Sequence, residues 1–255
     1  MATRTRWLLA IIVTVQLGVI ASPTRAATVQ ELVAEADQLA HADDASPATL
    51  QRAVGLYQDA ARIVPGNARI QVGLAEAALD AGGLAGPDAL RWYETGQAAA
   101  ERAIAIDAGL ADAHFLLAAN RGRAAKLRPP LEVRPSIVGA LEGHLARALA
   151  LDPRHARALH MMGMLLRDTP LFLRGYLTGK ASAAPRYLIA AVEADSSFAE
   201  ARLDLAEYYR STGRVADARA HAKAVIEMSR GTPARLSREK YRAAAEAFLK
   251  TLPAE

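Results

Sequence analysis

Side chains able to do chemistry are spread thinly along this 255-residue chain. Its six histidines are His41, His114, His144, His155, His160 and His221. Two histidines share a helix face as metal ligands only at a spacing of three or four. His155 and His160 are five apart, which predicts turn and packing roles instead. The segment "GYLTGKA", residues 175–181, carries elements of a phosphate-binding loop. That loop needs four residues between its glycines and Ser or Thr after the lysine, so that backbone amides and a hydroxyl converge on phosphate and magnesium. Here three residues separate Gly175 from Gly179, and Ala181 follows Lys180, so the segment reads as a connector between helices. Neither a G-x-S-x-G elbow nor an H-E-x-x-H pair occurs. Glu142, Arg147, Glu200 and Asp204 read as charges on solvated helix faces. No catalytic residue, metal site or cofactor is expected, and the chain reads as non-enzymatic.

With no reactive constellation, function must rest on surfaces that the helices build. The stretches "AIAIDAGLADAHFLLA" (103–118), "ALALDPRHARALHMMG" (148–163) and "AVEADSSFAEARLDLA" (191–206) repeat one pattern: a helix end, an Asp turn, a helix start. Asp107, Asp152 and Asp195 mark the three turns. Leu159-x2-Met162-Gly163-x2-Leu166 fits the first-helix pattern of tetratricopeptide repeats, with apolar residues in place of both aromatics; Ala53-x3-Tyr57 followed by Pro65 fits the second helix. Small residues at Ala53, Ala75, Ala118, Gly163, Ala206 and Ala218 stand where paired helices must approach closely, beside apolar stripes at three- and four-residue spacing. The sequence therefore resembles a tetratricopeptide-repeat protein: all-α, a right-handed stack of about five hairpins plus a C-terminal capping helix.

Local signals place the helices. Thr28-x-x-Glu31 is a capping box opening a helix at 29–41, and Ser46-Pro47 supplies an N-cap and first-turn proline for 47–63. Further pairs are expected at 67–81 with 87–107, 111–125 with 136–150, 155–167 with 181–194, and 198–212 with 215–229. A closing helix should run from Thr232-Pro233 to Leu252. The hairpin turns recur at a spacing longer than the usual 34 residues. The excess lies within hairpins, at 82–88, 127–136 and 168–183, and should emerge on one edge of the stack.

The run from "AHFLLAANRGRAAK" through "VRPSIVGALEGHLARALALDPRHARALHMMGMLLRDTP" to "FAEARLDLAEYYRSTGRVADARAHAKAVI" resembles the family that includes the T-component of TRAP transporters, over about 111–228. That resemblance implies a bacterial envelope protein that assists a substrate-binding protein. The chain departs from the family by lacking the lipid-bearing cysteine and by carrying "LFLRGYLTGK" where relatives have a plainer turn.

The first 26 residues have the form of a secretory signal peptide: Arg4 and Arg6, the apolar run "WLLAIIVTVQLGVI" (7–20), then Thr24 and Ala26 before Ala27. The expected domains are thus 1–26, signal peptide, and 27–255, helical repeats. Without cysteine, the chain can be neither lipidated on sulfur nor disulfide-stapled. Three of the 31 basic residues and no acid lie in the leader, leaving 28 basic against 27 acidic residues, a net charge of +1. Nucleic acid is therefore not an expected partner. The expectation is a periplasmic scaffold, free of the membrane after cleavage, binding a protein or peptide. A carrier of an apolar or amphipathic small molecule is the alternative.

First helices of stacked hairpins line the inner groove. By that register the groove shows Arg69, Val72 and Glu76, then Asp112 and Phe115, then Arg157, His160, Met164 and Arg167, then Glu200, Leu203, Glu207 and Arg210. Phe115 and Met164 fit an inter-hairpin core equally well. The 168–183 loop adds Phe172 and Tyr176 as candidate contacts, expected near the same mouth.

Overall fold

The computed structural model describes residues 28–42, 45–129, 134–228 and 236–253. The expected leader, the tip of the 127–136 connection and the Thr232-Pro233 helix start fall outside them. Among the described residues eleven α-helices follow one another: α1 Val29–Ala40, α2 Pro47–Ile63, α3 Ala68–Leu84, α4 Ala89–Ile106, α5 Ala111–Lys126, α6 Pro135–Leu151, α7 Ala156–Asp168, α8 Ala184–Ala194, α9 Ala199–Ser211, α10 Val215–Met228 and α11 Leu236–Lys250. Among the described residues there is no strand. Helix ends lie within three residues of the sequence expectations, apart from the start of α11.

The chemistry of the ends explains this agreement. Thr28 Oγ1 accepts from the Glu31 amide while the Glu31 carboxylate accepts from the Thr28 amide, closing the capping box. Ser46 and Thr49 exchange the same pair of bonds at α2, with Pro47 leading the helix. Three hairpin junctions use one device: Asp107, Asp152 and Asp195 each accept, through Oδ1, the amide two residues on, at 2.8, 2.9 and 2.8 Å. Such a carboxylate turn stops one helix and aims the next, which is why the chain repeats the motif.

Consecutive helices pair as antiparallel hairpins: α1/α2, α3/α4, α5/α6, α7/α8 and α9/α10, with α11 against α10 and α9. First helices also meet across hairpins, α1 with α3, α3 with α5, α5 with α7 and α9 with α11, whereas second helices do not pack on one another to a comparable degree among the described residues. The stack therefore curves with its first helices on the inner side.

Close approach depends on the small residues. Ala53, Ala75, Ala118, Ala206 and Ala218 are fully buried. A Cβ on Gly163 would stand 2.8 Å from Leu188 Cδ2, one on Gly82 2.4 Å from the Tyr93 ring, and one on Gly73 2.6 Å from the Tyr57 ring. Each glycine receives a large side chain from the neighbouring helix, a ridge set into a groove. Asn120, wholly buried, uses Nδ2 to bond the Ala75 carbonyl of α3 and the Leu116 carbonyl of its own helix. This polar tie joins the second and third hairpins.

Candidate functional site

The inner strip is built by one face of α3, α5, α7 and α9, bridged by charges that cross between hairpins. Arg157, on the first turn of α7, is its centre. Its Nη1 donates to Glu76 Oε1 of α3 at 2.6 Å, its Nη2 lies 3.9 Å from Asp112 of α5, and its guanidinium stands 4.7 Å over the Phe115 ring. A single side chain thus ties three hairpins together. His155 assists from the N-cap of α7. Its Nδ1 accepts the Ala158 amide, so the proton of the neutral ring sits on Nε2 and is donated to Asp112 at 3.0 Å. Asp112 is held below the usual carboxylate range, first by the His155 hydrogen bond and then by the nearby positive charges of Arg157 and Arg69, against the opposing effect of burial.

A second bridge joins α7 to α9. His160 Nε2 donates to Asp204 at 2.7 Å, and Arg167 Nη2 reaches the same carboxylate at 3.3 Å. Burial pushes the Asp204 carboxyl up, but the bond from His160, together with its charge and that of Arg167, outweighs burial and leaves it lowered. His160 also meets Phe198 edge-on at 5.1 Å between ring centres. The expectation that Asp204 is an ordinary solvated charge is overturned: two basic side chains enclose it. The expected packing and turn roles of His155 and His160 hold.

Of the residues expected in the groove, Arg69, Glu76, Asp112, Arg157, His160, Arg167 and Glu200 are brought onto this strip. Phe115 and His160 are buried and form its floor, not its contact surface. Met164 is half-buried against the core of the last hairpins. Glu207 and Arg210 pair with each other at 2.9 Å, and Arg210 stands 5.9 Å from the Phe248 ring of α11. Tyr241 of α11 bonds Glu200, and burial with that carboxylate's charge raises its phenol above the ordinary range.

Sequence reasoning missed Asp80. It lies four residues after Glu76, so the stripe of Arg69, Val72 and Glu76 continues onto it. Its side chain reaches solvent, yet protein surrounds it on most sides, as expected on a concave wall. That enclosure, with Glu76 beside it, raises its pKa to about 6, against the pull of Arg157 and His41. Tyr57 donates to Asp37 at the same end.

Phe172 and Tyr176 lie elsewhere. Residues Leu171–Tyr176 form a short 3-10 segment in the connection from α7 to α8. Arg174 ties it to the end of α7 by donating to the Thr169 carbonyl at 3.0 Å. The segment then runs onto α6, where a Cβ on Gly139 would stand 3.1 Å from the Tyr176 carbonyl. Leu173 is buried, while Leu171, Phe172 and Tyr176 are exposed by 81%, 58% and 54%. Beyond them, Glu142 Oε1 accepts from the Gly179 amide at 2.6 Å and from Thr178 Oγ1 at 2.9 Å; Oε2 accepts from the Thr178 amide at 2.7 Å. The amides of the phosphate-loop look-alike therefore do hold an anion, the chain's own buried Glu142, which corrects its reading as a solvated charge. The spacing from 142 to 178 carried no periodic signal that could have shown this.

Among the described residues no group of three or more acidic or histidine side chains is placed to hold a metal ion. The sequence matches no family model and no curated protein. The geometry nevertheless defines a class: superposition on a thermophilic tetratricopeptide-repeat protein of Thermus thermophilus gives a TM-score of 0.64 at 19% identity, over 86% of this chain and 100% of that one. The fold is the tetratricopeptide-repeat fold. Looser likenesses include MamA, with a TM-score of 0.47 at 15% identity over 77% of this chain and 92% of that one. YrrB, described as a repeat protein with an unusual peptide-binding site, gives 0.44 at 17% identity over 84% and 92%.

Proposed function

We propose that this chain is an exported, non-enzymatic repeat scaffold of the bacterial periplasm that holds a protein or peptide partner along its inner strip. The observation that carries this reading is the division of labour on the strip. Arg157, His155, His160, Arg167, Asp112 and Asp204 are engaged across hairpins, while Arg69 and Asp80 on the same face of α3 are exposed and their side chains enter no hydrogen bond or ion pair among the described residues. A surface whose supporting charges are already locked presents its free ones without further ordering cost, which favours binding of an extended chain. The mixed signs favour a polar polypeptide over an apolar small ligand, which sets the carrier reading second.

The leader at 1–26 supports export. The likeness to the T-component of TRAP transporters supports a periplasmic substrate-binding protein as the partner. A photo-crosslinking residue at position 69 or 80, compared in the native host with one at exposed Arg147 of α6, tests the strip. Discrete polypeptide adducts from 69 and 80 but not from 147 are expected. Adducts from 147 alone, or none from the strip, would place the partner elsewhere.

A further inference from the structure

The edge formed by the connections within hairpins carries apolar tips in a basic setting. Leu127 at the end of α5 is 52% exposed, and the α7–α8 connection adds exposed Leu171, Phe172 and Tyr176. The two places adjoin, because the Tyr176 carbonyl touches Gly139 in the second turn of α6, just after the α5–α6 connection. Charge along both connections is mainly positive. From Thr169 to Val192 there is no acidic residue, but Arg174, Lys180 and Arg186 are present. From Ala113 to Leu141 the sequence offers Arg123, Lys126, Arg128 and Arg134, with Arg121 already paired to Glu101 of α4 at 2.8 Å, against one acid, Glu132, which lies outside the described residues. Lys126, Arg128, Arg134 and Lys180 make no ion pair among the described residues. The opposite edge, where hairpin follows hairpin, mixes Asp107, Asp152 and Asp195 with Arg62, Arg69, Arg154 and Arg202, and its exposed large apolar residues, Ile63, Val64 and Ile106, include no aromatic ring.

We propose that this edge docks on an anionic lipid bilayer, with Leu171, Phe172 and Tyr176 entering the interface and the neighbouring Lys and Arg meeting lipid phosphates. Isolated apolar tips on a short connector suit shallow insertion of about 5 to 10 Å, where an aromatic hydroxyl stays at headgroup level and cations add attraction. No described helix is long and apolar enough to cross a membrane; the contact proposed for this edge is a peripheral one. The structure also explains how the tips are held. Arg174 fixes the start of the connection on backbone carbonyls, buried Leu173 anchors its middle, and Glu142 clamps its end at Thr178 and Gly179. The opposite edge, of mixed charge and without an exposed aromatic ring, offers such a surface less, which sets the orientation. This departs from the sequence expectation of a chain free of the membrane after cleavage, and it is independent of the partner assigned to the inner strip.

The absence of cysteine makes the test site-specific. In the full chain, Leu171→Cys and, on the opposite edge, Ser196→Cys are each labelled with an environment-sensitive fluorophore. Each is mixed with equimolar phosphatidylglycerol–phosphatidylcholine vesicles or with pure phosphatidylcholine vesicles. The expected result is a blue shift and severalfold brightening at position 171 on the anionic vesicles only, reduced by high salt and lost in Arg128→Glu/Lys180→Glu. The 196 label should stay unchanged. Phe172→Ser, with circular dichroism as the folding check, should weaken the response independently. An equal response at 196 would assign binding to another segment, such as the leader. A response at 171 that grows with protein concentration without vesicles would assign the edge to a second copy of the chain. Either result, or silence at 171 on anionic vesicles, overturns the proposal.

Discussion

Two carboxylates show how far an amino acid's role depends on what surrounds it. Glu142 and Asp80 are both acidic residues on helix faces, and neither is simply solvated. Glu142 is buried and accepts three hydrogen bonds from Thr178 and Gly179. Glu142→Ala strands those donors and should cost about 2 kcal/mol. Thermal melting measures the loss, and hydrogen exchange should show faster opening at the Thr178 and Gly179 amides than at Leu188. Asp80 has the opposite character, since its ionised form is disfavoured in the fold. Its pKa rises from about 3.9 in an unfolded chain to about 6, so the folded state binds the extra proton between those values. Its cost to stability is therefore absent below about pH 4 and grows as pH rises through 6. Asp80→Asn should stabilise the protein at pH 7.5, by about 1 kcal/mol once its solvent access is allowed for, and the difference from wild type should vanish near pH 4. Melting curves at the two pH values decide this; a gain of equal size at both would remove the electrostatic explanation.

Helices and their crossings were more legible than these side-chain roles. Caps, Asp turns and apolar periodicity are local, so the sequence displays them: Thr28 with Glu31, Ser46 with Pro47, and the three Asp turns all formed as read. The long-range ties were not legible, because pairs such as Arg157 with Glu76 or Glu142 with Gly179 join residues whose separation follows no helical period. Phe115 was open to two readings since a stripe residue on α5 can face either the groove or the next hairpin. Its burial beneath Arg157 resolves it as floor. At this scale the register itself is testable. Gly163 faces Leu188 and Ala206 is wholly buried, so Gly163→Leu and Ala206→Leu should each overpack a crossing and cost about 1 to 3 kcal/mol. Melting temperatures unchanged from wild type in both would mean that the helix faces have been assigned wrongly.

At the scale of the whole stack, three surfaces differ in character. The inner strip mixes signs and is cross-linked between hairpins. One edge bears an Asp at each of three hairpin junctions, and the other bears basic connectors with apolar tips. The central claim concerns the strip: that it holds a polypeptide, with exposed Arg69 and Asp80 among the contacts. Native mass spectrometry of the protein isolated from the envelope of its own host tests this most directly, with wild type beside Arg69→Glu/Asp80→Lys, each confirmed folded. The account predicts a defined polypeptide bound to wild type and missing from the double variant. A small molecule bound in place of a polypeptide, or a polypeptide retained undiminished by the double variant, would contradict it.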